Sequence, residues 1–244
     1  CLGPEDVLVV PGKYDHMEEV LGLLGVPYTG GVPDARARSS AKLILANCPG
    51  DVLEGHLRGV KLWVRHGGYL VTTDWAIRPL QEMFPRYIRW TGETTADTHV
   101  ALDATDKAAD SPTTDQETEE QPIWWLEGSS YPFRVAEDVE ILLTSQELKQ
   151  RYGSRLVAVR WNYGQGEVFH MISHLYLQRT ELRSARSTAT FKETAGTYGV
   201  TEDELSTLSD NLQTVTEGAL KASLASSSFF YKILGSATKA KTGS

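Results

Sequence analysis

The sequence predicts an α/β fold: a mostly parallel sheet flanked by helices, an antiparallel hairpin at one edge, and a C-terminal helical extension. Three observations carry this. The runs DVLVV (6–10), KLILA (42–46) and YLVTT (69–73) have the length and composition of strands buried on both faces. Between them, apolar residues recur at helical spacing. The connecting turns are short, as crossover units on a parallel sheet require.

Pro11-Gly12 closes the first run. Asp15 is placed to cap a short helix with Met17, Val20, Leu21 and Leu24 on its apolar side and Gly25 at its end. Residues 26–29 read as extended, followed by a polar loop. Asn47-Cys48-Pro49-Gly50 stops the second run, and Asp51 opens a helix with Val52, Leu53, Leu57, Val60, Leu62 and Val64 as apolar positions. Gly67-Gly68 ends that helix before the third run. Residues 79–84 read as one or two helical turns starting on proline, where the missing N–H costs nothing.

Residues 103–121 carry seven acids and one lysine with little apolar surface, which predicts a solvated acidic insertion. Trp124 and Trp125 follow on an extended piece, so one should be buried and the other partly exposed. Residues 140–144 and 156–162 read as strands. The turn 163–166 joins the second of these to a strand over 167–174, a β-hairpin by turn chemistry.

Two units are expected, 1–178 and 179–244. In the second, Thr201 and Glu204 form a capping box ahead of Leu205, Leu208, Leu212, Val215 and Leu220 at helical spacing. Phe229, Phe230, Tyr231, Ile233 and Leu234 make an apolar cluster, expected to dock on a partner or a second copy or to fold back. Leu205, Leu212, Phe229, Phe230 and Tyr231 are the expected partner-binding residues.

The 244 residues hold 32 acids against 24 bases, a net charge of -8 that disfavours nucleic acid as a partner. Two cysteines, Cys1 and Cys48, make neither a disulfide framework nor a thiolate zinc site. No apolar stretch approaches the ~20 residues of a membrane span. These features point to the cytoplasm and away from a membrane. Cys1, so close to the first strand, reads as a fragment boundary rather than a lipid-anchored end.

The order Gly67-Gly68, strand, turn into helix, then a Gly164-x-Gly166 hairpin leading to His174 resembles the class I glutamine amidotransferase-like superfamily. In outline it is most similar to the non-amidotransferase branches, such as trehalose-utilisation-protein-like domains and the amidotransferase-like domain of some β-galactosidases. The resemblance spans residues 6–178 and implies an amidotransferase or flavodoxin-like architecture. In that family a strand feeds a nucleophile elbow of pattern G-x-C-x-G, whose sharp turn lifts a thiol above the sheet. The matching stretch is Thr72-Thr73-Asp74-Trp75-Ala76, with Asp74 at the nucleophile place and neither glycine present. The family's base is a histidine followed two residues later by glutamate. Here His174-Leu175-Tyr176 keeps the histidine and has Tyr176 for the carboxylate, so the imidazole is expected to lack its orienting partner. Pro49-Gly50 partly echoes the family's oxyanion turn.

The resemblance implies a catalytically degenerate domain that serves as a binding or assembly module and needs no cofactor. Cys48, Gly50, Asp74, Trp75 and His174 would line any ligand site, and a small-molecule ligand is compatible with it. Two alternatives stay open. A hydrolase could use Asp74 or Cys48 with His174, since Asp-Trp on an elbow also resembles the aspartate nucleophile of haloalkane-dehalogenase-like α/β hydrolases. A carbohydrate-binding domain of the β-galactosidase kind is the other. The plainer readings are a helix cap for Asp74 and inert packing for Cys48. His170 and His174, about 13 Å apart on a strand, could not share a metal. Cys48, Asp74 and His174 together could approach one, though no metal is expected. His16, His56, His66 and His99 are expected to be exposed.

Overall fold

A computed structural model describes residues 2–23, 25–103 and 123–174, together with Gly235. The acidic insertion beyond Asp103, Tyr176, and the extension apart from Gly235, with its partner-binding residues, lie outside the described residues.

The core is a seven-stranded sheet. β1 (Val7–Val10), β2 (Thr29–Gly30), β3 (Leu43–Ala46) and β4 (Tyr69–Thr73) come from the N-terminal half, and β9 (Glu140–Thr144), β10 (Leu156–Tyr163) and β11 (Gly166–Met171) from the C-terminal half. Their order is β2-β1-β3-β4-β11-β10-β9. The pairings from β2 through β11 are parallel, and β10 runs antiparallel to both β11 and β9. The expected edge hairpin is therefore β10–β11, with β9 completing it. Every residue of β1, β3 and β4 is buried, the pattern of strands covered on both faces.

Helices α1 (Met17–Leu23), α2 (Ala35–Ser40), α3 (Asp51–Glu54), α4 (Leu57–Arg65), α5 (Ile77–Met83) and α6 (Gln146–Tyr152) connect the strands. The helix expected to run on from Asp51 is broken at Gly55-His56 into α3 and α4. The polar stretch after β2 holds α2, capped by the Asp34 carboxylate, which accepts from the Ala37 N–H at 2.8 Å. Asp15 does not cap α1: the Met17 N–H bonds instead to Asn47 Oδ1 at 3.1 Å. α5 follows a 3-10 turn over Asp74–Ala76, so Pro79 is its third residue and not its first.

Two small antiparallel sheets complete the structure. β5 (Ile88–Trp90) pairs with β8 (Phe133–Val135), and β6 (Thr98–Ala101) with β7 (Ile123–Leu126). Neither β5 nor β6 was expected. They explain why Trp124 and Trp125 are both buried, against the expectation of one exposed ring. Trp124 Nε1 donates to Ser173 Oγ at 2.8 Å and Trp125 Nε1 to Asp97 Oδ1 at 2.7 Å, so each indole satisfies its donor on its own side of β7. His99 is likewise buried, its ring against Trp125, and not exposed as expected.

Candidate functional site at the carboxyl edge of the sheet

β1, β3, β4 and β11 are adjacent and parallel, so their carboxyl ends emerge along one edge, where open α/β sheets hold ligands. One buried titratable residue follows each: Asp15 after β1, Cys48 after β3, Asp74 after β4 and His174 after β11. The Cys48 thiol, an Asp74 carboxylate oxygen and a His174 ring nitrogen lie within 4.8 Å of one another. The edge thus brings together Cys48, Gly50, Asp74, Trp75 and His174.

The loop after β3 is held by two close approaches. Lys13 N–H donates to the Cys48 carbonyl at 2.9 Å, and a Cβ on Gly12 would stand 2.2 Å from that oxygen. Gly50 has φ +80°, and a Cβ there would lie 2.9 Å from Ala76. Only glycine meets both demands. The Cys48–Pro49 peptide is cis.

The elbow after β4 keeps the shape of a nucleophile turn without its exposure. Asp74 has φ +43°, a left-handed conformation that only Asp74 and Ser129 adopt among the described non-glycine residues. Its carboxylate faces inward. Oδ1 accepts the Tyr131 N–H at 3.1 Å and Oδ2 the Ser130 hydroxyl at 3.2 Å. The helix-cap reading of Asp74 is therefore wrong, because neither oxygen serves an N–H of the turn that it begins.

The expectation that His174 lacks a carboxylate partner is also overturned. Its Nδ1 lies 2.9 Å from Glu127 Oε2, and its Nε2 lies 3.4 Å from Asp74 Oδ2. His174 sits past the end of β11, not on it, because the strand stops at Met171. Ser173, next to it, donates to the Trp125 carbonyl at 2.6 Å and so ties the segment to β7, which delivers Glu127. The turn after Glu127 is fastened to Thr95, whose N–H donates to the Ser130 carbonyl at 2.9 Å.

Burial alone would make His174 a weaker base, but Asp74, Cys48, Glu127 and Asp15 around it raise its pKa well above the usual imidazole range. It is a cation in a ring of acids. Burial raises the Asp74 carboxyl, against His174 and the Tyr131 N–H, which lower it. Burial likewise raises Asp15, whose Oδ2 accepts the Thr73 hydroxyl at 2.5 Å. Burial, which favours the neutral thiol, pushes Cys48 up in spite of His174, which lowers it.

Aromatic rings border the cluster. Trp75 stacks on Tyr131 at 5.4 Å, Tyr131 on Trp90 at 4.2 Å, and Tyr14 meets Trp75 edge-on. Trp75 Nε1 donates to the Ser129 carbonyl at 2.5 Å, so elbow and turn 127–131 are fastened on both sides.

Sequence reasoning missed Asp15, Glu127, Ser130 and Tyr131. Asp15 was legible in principle, since it follows a strand whose carboxyl end lies on the same edge. Glu127 was not, because only the β6–β7 pairing brings it to His174.

No known family's sequence pattern matches the chain, and no curated protein sequence does. The likeness is structural. A cytoplasmic protein from Salmonella typhimurium is similar with a TM-score of 0.50 and 13% identity over 70% of this chain and 88% of that one. A ThuA-like protein from Bacteroides uniformis matches with a TM-score of 0.50 and 10% identity, over 71% of this chain and 83% of that one. A β-galactosidase from Rahnella sp. R3 is more distant, at a TM-score of 0.46 and 15% identity over 69% of this chain and 28% of that one. The first two share its α/β fold. Among the described residues, no helix is long and apolar enough to cross a membrane.

Proposed function

We propose that the chain is a catalytically degenerate amidotransferase-like domain that acts as a cytoplasmic binding or assembly module in a larger complex. The state of the elbow carries this reading. An aspartate stands where the resemblance calls for a thiol, and protein donors hold both of its oxygens. Its side chain is 3% exposed. A nucleophile must present a lone pair to an incoming carbon, and this one presents its lone pairs to Tyr131, Ser130 and His174. Cys48, fully buried and favoured as the thiol, is no substitute. The partner-binding surface is assigned to the extension, through Leu205, Leu212, Phe229, Phe230 and Tyr231.

A second reading rests on one observation. His174 has the carboxylate partners of a working base, as a hydrolase built on Asp74 or Cys48 would need. Exposure to a chloroketone analogue of glutamine, followed by intact-mass measurement, separates the two. The module reading expects no adduct and no ammonia release from glutamine. A covalent adduct on Cys48 or Asp74, with turnover lost on substituting that residue, would establish the hydrolase instead.

A further inference from the structure

We propose that Cys48, Asp74 and His174 form a binding site for a divalent ion of the zinc type, with Glu127 orienting the histidine. The donor set is the first support. One sulfur, one imidazole nitrogen and one carboxylate oxygen suit zinc and its neighbours better than magnesium or calcium, which prefer all-oxygen shells.

Geometry is the second. Zinc bonds to nitrogen and oxygen of about 2.0–2.1 Å put those two donors roughly 3.4 Å apart in a tetrahedral shell. His174 Nε2 and Asp74 Oδ2 are 3.4 Å apart, a long separation for a charge-assisted hydrogen bond. All three donors lie within 4.8 Å, so binding has to close the triangle by at most about an ångström. Three protein donors leave the fourth position of a tetrahedral ion to a small exogenous ligand.

The contact on the far side of the ring is the third. A histidine that ligates through one nitrogen usually donates the other N–H to a carboxylate, which fixes the tautomer. Glu127 occupies that place at 2.9 Å from Nδ1, leaving Nε2 toward Asp74. Charge is the fourth. Asp74 and Glu127 set a carboxylate on either side of the His174 ring, so an ion that replaces the Nε2 proton finds negative charge already in place. A metal takes Cys48 as thiolate and His174 through an unprotonated Nε2, so the thiol proton and the Nε2 proton both pass to solvent on binding, while the Nδ1–H stays toward Glu127.

Metal analysis of the full-length chain from zinc-supplemented cells tests the site. About one zinc per chain is expected, and protein from cobalt-supplemented cells should show a thiolate-to-cobalt charge-transfer band in the near ultraviolet. Cys48→Ser should abolish the band. Glu127→Gln, which keeps all three ligands, should weaken zinc binding ~10–100-fold in competition with a chelator. Metal-free protein, cobalt without the band, or a metal that survives Cys48→Ser and His174→Ala alike would overturn the site. That failure leaves the module reading intact, whereas an adduct on Asp74 would sink the module reading alone.

Discussion

His170 lies inside β11 and His174 just past its end, and equal burial gives them opposite charge states. His170 Nδ1 is 2.9 Å from the Thr72 hydroxyl, its ring meets the edge of Phe133, and Nε2 has no hydrogen-bond partner among the described residues. With no acid to offset burial, its pKa falls to about 3 and the ring is neutral. His174 is as deeply buried but faces carboxylates from three other segments, and is held protonated. The sheet interior meets His170 with the Thr72 hydroxyl of β4 and the Phe133 ring of β8, neither of them an acid. The carboxyl edge collects loops, and loops bring acids. Depth of burial therefore does not fix protonation here; position along the strand does.

The largest expected effect lies at the edge. His174→Ala leaves Asp15, Asp74 and Glu127 without their cation, which should cost about 3–5 kcal/mol of stability in denaturant unfolding. A loss near the ~1 kcal/mol of a helix cap would mean that the acids are not coupled through this ring.

The interior histidine gives a pH signature of smaller size. Between pH 6.5 and about 3 the unfolded chain binds a proton at residue 170 that the folded chain refuses. Stability from this group is thus full above pH 6.5 and is lost as the solution is acidified, about 2 kcal/mol by about pH 5. His170→Gln should flatten that acid limb. An unchanged limb would show that His170 charges within the fold and that the contrast with His174 is false.

The smallest effect sharpens the edge itself. Ser130→Ala removes one hydroxyl from Asp74 while the Tyr131 N–H remains, and should lower stability by about 1 kcal/mol in the same unfolding measurement. No measurable loss would assign the hold on the elbow to the backbone donor alone.

The contrast also marks what was legible in the sequence. β1, β3, β4 and the β10–β11 hairpin could be read because each is a continuous apolar run or is joined by a glycine turn. α2 could not, since ARARSS buries no residue and leaves no apolar period to detect. α6 was missed for a related reason. It buries only Leu148 and is specified by its Ser145 cap, which accepts from the Leu148 N–H. At the site, the strand ends pointed to Cys48, Asp74 and His174, because position after a strand is local information. The charge state of His174 was not local. The loss of a carboxylate at Tyr176 suggested a crippled base, while Glu127 reaches the same ring from across the fold.

Asp15, Cys48, Asp74, Glu127 and His174 come from five separate stretches of chain, so the order of folding events bears on the cluster. Each contact of His174 closes a long loop, and none of these can form before β11 is laid beside β4. Until then the acids stay hydrated and repel one another, and they favour the folded state only once the ring of His174 arrives among them. The cluster therefore adds little to the speed of folding and much to the slowness of unfolding. The carboxyl edge works as a latch on a finished sheet.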